Sequence, residues 1–307
     1  MYSDIIIGFD GSAPGRDALA LGRRLALVTG ASATVVCVHP YQAHTADVTA
    51  DAAVELSWRR GAERILDEAR RTMDDVPDVS FRTKAETSPA RALRDAALEV
   101  AAGVIVVGST RRQGLARRLG TTAERIASAT PCAIAVAPAG YAGSAPRSAA
   151  GVVGAAVDGG RETERVARTA GRIARDANAR LRLLIAVEPD ESEGARFASD
   201  PRSPRRIAVR RAADRALERA ANAAGPDVDV QRRIVEGAPA TMLVAESAGL
   251  DLLVVGSRGR GRVGRVLLGT VGGAVVRGAA CPVLAIPRGV PEQLDASIAS
   301  IARGAAR

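Results

Sequence analysis

The chain has 307 residues, enough for two domains of ordinary size, and carries a formal net charge of +9 with only 2% aromatic residues. Such a charge ordinarily points to nucleic acid or an anionic membrane. Here Lys84 is the only lysine, the arginines are scattered along helix-like stretches among Asp and Glu, and few aromatics are present for bases to stack on, so nucleic acid is not the expected main ligand. No apolar run of about 18 residues occurs and no basic leader precedes Ile5, which excludes a membrane span and an export signal from the expectation and favours the cytoplasm. Cys37, Cys132 and Cys281 lie far apart with no C-x-x-C spacing, so neither a disulfide framework nor a zinc site is expected.

Along the chain, the run Ile5-Ile6-Ile7-Gly8-Phe9-Asp10-Gly11-Ser12 reads as a strand leading into a turn. Cys37 and His39 fall on one face of the next strand, where they could ligate a metal but fit core packing better. Val104 to Ser109 and Cys132 to Ala137 read as two further buried strands. Ala139 to Ala150 is small, polar and proline-containing, as a linker is. The pattern then repeats. Val152 to Gly160 echoes the first strand, with Asp158 following Asp10 by 148 residues; Leu252 to Ser257 echoes Val104 to Ser109 at the same offset; Pro287 echoes Pro138 at 149.

In the second copy the expected strands are Val152 to Val157, Arg180 to Val187, Asp229 to Val235, Leu250 to Val255 and Val283 to Ile286. Helices are expected at Glu162 to Asn178, Pro204 to Ala224, Ala240 to Ser247 and Thr270 to Gly278. Short β-branched runs between helices mean a parallel sheet covered on both faces, joined by right-handed crossovers. The fold class is therefore α/β, two tandem doubly wound five-stranded parallel-sheet domains. Their expected spans are 1–139 and 151–288, with a linker at 140–150 and a tail at 289–307 that could form a short amphipathic helix.

One loop stands out: LLVVGSRGRGRVGRVLLGT, residues 252–270. Gly256 follows the strand, Gly259, Gly261 and Gly264 permit close backbone approach, and Thr270 opens the next helix, whose unpaired N–H groups favour phosphate. It is not the P-loop pattern, and alternating Arg and Gly could also suggest an RNA arm. Enclosure between a strand and a helix favours a phosphate cradle.

The spacing Gly256-x2-Gly259-x9-Gly269-Thr270, with Asp158-Gly159 after the first strand and Cys281-Pro282-Val283 at the last, resembles the ATP-binding branch of the universal stress protein family. Both halves share the likeness, as in tandem-domain members. The resemblance implies the adenine nucleotide alpha hydrolase-like fold, with ATP across the strand ends, alone or with a divalent cation such as Mg or Mn. It implies a site of Asp158, Gly159, Val187, Gly256, Ser257, Gly259, Arg260, Gly269, Thr270 and Val271, with adenine met by backbone near Val187. It also implies a pseudo-twofold pairing of the two domains through the apolar last strands, with a further homodimer left open.

The first copy departs from this pattern. Arg111 stands where the second copy has Gly259, and the loop from Gly108 to Gly120 is one residue shorter than that from Gly256 to Gly269. Asp10, Gly108, Gly120 and Thr121 form a degenerate counterpart, and Asp10 could simply cap a helix. No G-x-S-x-G elbow occurs, histidine is limited to His39 and His44, and no carboxylate pair stands beside the loop as a base. The expectation is an ATP-binding regulatory or stress-response module. A slow metal-dependent ATPase or phosphotransferase, or an interaction module without nucleotide, are the alternatives.

Overall fold

A computed structural model describes residues 4–40, 48–109, 125–126, 132–144, 151–188, 203–257 and 269–287. The chain divides into two compact units. The first runs β1 (Ile5–Gly8), α1 (Ala13–Thr29), β2 (Ala33–His39), α2 (Val48–Thr72), β3 (Val79–Ala85), α3 (Pro89–Glu99), β4 (Val104–Gly108) and β5 (Ala133–Ala137). The second runs β6 (Val152–Ala156), α4 (Thr163–Asp176), β7 (Arg180–Val187), α5 (Pro204–Ala224), β8 (Val230–Glu236), α6 (Pro239–Glu246), β9 (Leu252–Gly256), α7 (Thr270–Gly278) and β10 (Val283–Ile286). The helix bounds 204–224 and 270–278 agree with the sequence pattern. The strand expected from Leu250 begins at Leu252, because a 3-10 turn over Ser247–Gly249 takes up the preceding residues.

Within the first unit the strands lie in the order β3-β2-β1-β4-β5, and within the second β8-β7-β6-β9-β10. All of these pairings are parallel. Consecutive residues of the inner strands are buried, as at Ile5, Ile6 and Ile7 or Leu252, Leu253 and Val254, so both faces of each sheet are covered and the runs are continuously apolar rather than alternating. In each unit the order reverses between the first and fourth strands. Crossover loops there leave in opposite directions and open a crevice at the carboxyl ends of β1 and β4, and of β6 and β9.

The first unit fixes its own exit with a buried charge. Asp17 on α1 is 4% exposed, and its carboxylate accepts from the backbone N–H groups of Gly140 and Ala142, each at 2.8 Å. This bond pair holds the 3-10 turn Tyr141–Gly143 on α1, with Arg24 donating to the Tyr141 hydroxyl at 3.4 Å. A buried carboxylate is tolerated because charge-assisted bonds replace its water. The sole tryptophan, Trp58, lies half-buried on α2 of the same unit.

Replacing Asp17 by Ala removes the acceptor of two buried N–H groups and is expected to lower stability by about 2 kcal/mol. Urea unfolding measures the loss, and hydrogen exchange should show Gly140 and Ala142 opening while β1 stays protected.

Candidate functional site

The second unit places Asp158, Gly159, Gly256 and Ser257 at the β6/β9 strand ends. Pairing of Ala156 with Val255 sets the two strand ends side by side, so Asp158 and Ser257 leave the sheet as neighbours. β7 adjoins β6 on the other flank, with Val187 as its last residue. Gly159 adopts φ +75°, which turns the chain away after Asp158 and suits glycine. The Asp158 carboxylate accepts from the N–H of Gly160 at 2.8 Å and from the Thr163 hydroxyl at 3.2 Å. It therefore fastens the start of α4.

Ser257 is 3% exposed; its N–H donates to the Ile286 carbonyl at 2.9 Å, but its hydroxyl has no hydrogen-bond partner among the described residues. An unmet buried hydroxyl is costly unless something else meets it. Thr270 begins α7, with Gly269 at the N-cap and no side chain capping the helix, and Val271 lies in the first turn. Since β9 and β10 are parallel, α7 must return antiparallel to them, which brings its N-terminus to the crevice end of the sheet. Gly259 and Arg260, together with Gly120 and Thr121 of the first copy and the tail from 289, lie outside the described residues. Among the described residues no three His, Cys, Asp or Glu side chains group as a metal site.

The first unit uses the equivalent positions differently. Asp10 accepts from both the N–H and the hydroxyl of Ser12, whose oxygen in turn caps α1 by accepting from Gly15 N–H at 3.1 Å. α1 thus starts at Ala13, and its first turn lies on the sheet: a Cβ on Gly108 would meet the Pro14 carbonyl oxygen at 1.9 Å. In the second unit, α4 starts only at Thr163, and a Cβ on Gly256 would meet Val166 Cγ2 at 3.1 Å and Glu162 Cβ at 3.7 Å. Gly108 is needed for close packing of backbone on backbone, whereas at Gly256 the neighbours are side chains that can give.

Cys37 and His39 behave as core. Both are buried, and His39 Nδ1 lies 3.1 Å from the Pro40 carbonyl oxygen. Burial, with the negative charge of Asp10 adding to it, pushes the Cys37 thiol up to about 11. Cys132 and Cys281 are buried as well.

The profile of the universal stress protein family matches residues 1–138 and again 151–287. The chain belongs to the universal stress protein family. Among curated relatives, one universal stress protein of Mycobacterium tuberculosis is 49% identical over 59 residues, covering 19% of this chain and 20% of that protein. A second from the same organism is 32% identical over 142 residues, covering 46% of this chain and 50% of that one. The chain thus aligns with a fifth to a half of these relatives' lengths. A universal stress protein structure from Archaeoglobus fulgidus superposes with a TM-score of 0.63 at 18% identity, over 93% of this chain and 96% of that one. At that identity the likeness speaks to the fold: tandem α/β domains of the adenine nucleotide alpha hydrolase-like type. Among the described residues no helix is long and apolar enough to cross a membrane.

Sequence reasoning did not single out Thr163, which bonds Asp158, or Ser257 as an unmet hydroxyl; a threonine five residues after the aspartate was the visible signal for the first. Three outcomes are expected here. Gly108→Ala should cost about 3 kcal/mol and Gly256→Ala about 1, since only the former drives a methyl into a carbonyl oxygen; thermal unfolding of both variants distinguishes them. Alkylation of Cys37 at pH 8 should run about a hundredfold slower than for an ordinary thiol, two pKa units being a hundredfold in thiolate. Because its folded pKa is raised from 9.0, the stability Cys37 contributes is full below about pH 9 and lost as pH rises through about 11.

Proposed function

We propose that this universal stress protein binds ATP in its second unit and acts as a nucleotide-dependent regulatory module of a stress response. What supports the reading is a buried Ser257 hydroxyl without a partner among the described residues, at the end of the strand that neighbours the one leading to Asp158, with α7 starting without a side-chain cap, in a chain carrying the Gly256-x2-Gly259-x9-Gly269-Thr270 spacing. These residues fit an oxyanion ligand. The N–H groups at Thr270 and Val271 and the Ser257 hydroxyl donate to phosphate oxygens, while backbone near Val187 lines the flank where adenine would lie. Asp158 sits at the nucleotide's edge, and a Mg or Mn ion would arrive with the phosphates.

Regulation rather than turnover follows from the residue types at hand. Asp158 is engaged by Gly160 and Thr163, and no histidine stands at the crevice among the described residues, so no base is set to activate water. The first unit, whose crevice edge is packed by the first turn of α1, is assigned a supporting part.

Calorimetry on the whole chain should find one ATP equivalent, abolished by Gly259→Asp and weakened about tenfold by Ser257→Ala, the worth of one bond to a charged group. Phosphate release that is metal-dependent and lost in Asp158→Asn would replace this reading with an ATPase. Absence of any binding heat with ATP, AMP and cAMP would leave an interaction module.

A further inference from the structure

Two helix ends stand clear of the units that hold them. α2 is anchored by buried Ala62, Leu66 and Ala69, and α5 by buried Ala213, Leu217 and Ala220, the same positions 151 residues further on. Ahead of those anchors no residue of 52–61 and none of 204–212 is buried. Each stretch amounts to about 15 Å of helix with no part in its unit's core. Both carry apolar side chains in the open. Val54 and Leu56 are 42% and 47% exposed and Ile207 and Val209 39% each, and these are four of the six exposed large apolar side chains among the described residues.

A single exposed apolar residue is ordinary at a protein surface. Here the pattern occurs twice in one register: Leu56 and Ile207 share one position of the two helices, and the half-buried Trp58 shares another with Val209. Apolar side chains grouped this way and rimmed by charge make a contact surface for another macromolecule. Charge indicates which one. Glu55 is the only charged residue of 52–58, with Arg59 and Arg60 following nearer the body of the unit, whereas 204–212 holds Arg205, Arg206, Arg210 and Arg211 and no acid. Arg206 is met by Glu236 at 2.5 Å, while Arg210, Arg211 and Glu55 enter no ion pair among the described residues. One end is thus apolar and acidic, the other apolar and basic, so the surface that complements each is carried by the same chain. We propose that the α2 end of one copy docks on the α5 end of a second copy, with Leu56 and Trp58 meeting Ile207 and Val209, and Glu55 meeting Arg210 and Arg211.

The contact is independent of nucleotide. Sedimentation velocity of the full chain over a range of concentrations, with Trp58 emission recorded on the same samples, compares wild type with Leu56→Asp, with Ile207→Asp and with Arg210→Gln combined with Arg211→Gln. All four positions are exposed, so the variants should fold, which far-ultraviolet circular dichroism checks. The wild type should self-associate, less strongly as salt is raised, and each variant should weaken the association at least tenfold. Trp58 emission should move to shorter wavelength as the wild-type concentration rises and stay in place in Ile207→Asp, a change on the other helix. A wild type that remains monomeric overturns the proposal, as does an association weakened by only one of Leu56→Asp and Ile207→Asp, or by neither. Binding to vesicles of phosphatidylglycerol and phosphatidylcholine by a chain that does not self-associate, lost when Arg210 and Arg211 are replaced, also overturns it and gives the α5 end to an anionic lipid surface.

Discussion

Each unit depends on one close approach, the first helix turn after the first strand lying against the glycine that ends the fourth. The strand order reverses at that line, so whatever fills the crevice between the two strand ends decides whether a unit can receive a ligand. In the first unit protein backbone fills it, with the Pro14 carbonyl on Gly108. In the second, a helix that starts later presents Glu162 and Val166 side chains to Gly256, and the Ser257 hydroxyl has no partner among the described residues.

The start of each helix traces to two residues. Ser12 can accept from Gly15 and donate to Asp10, which closes a cap and lets Pro14 enter the first turn of α1. Gly160 has no such side chain, so Asp158 makes the bonds itself through Gly160 N–H and Thr163, and α4 begins at Thr163. The exchange of a serine cap for a glycine thus goes with a helix that starts later in the second unit.

Much of this was legible in the amino-acid pattern. The repeat, the parallel sheets and the bounds of α5, α7 and β10 follow from apolar runs at constant offset, because buried strands of a parallel sheet must be apolar on both faces. Asp17 was not legible, since an aspartate on an amphipathic helix next to Arg16 reads as solvated; only the fold shows Gly140 and Ala142 arriving at it. Nor does composition distinguish the segment after Pro138 from an ordinary linker, because the bonds that tie it to α1 come from backbone N–H groups, which every residue other than proline offers. Ser257 was expected at the site, but its unmet hydroxyl follows from packing and strand register.

The single tryptophan on α2 has an optical consequence. Trp58 and all three tyrosines, Tyr2, Tyr41 and Tyr141, precede the second family match, which begins at residue 151, and Phe197 is the only aromatic residue beyond it. Intrinsic fluorescence therefore watches the first unit and is nearly blind to the second. An adenine ring held by the second unit would outshine all the protein chromophores around it near 260 nm, so an absorbance spectrum of the purified chain reports bound base directly.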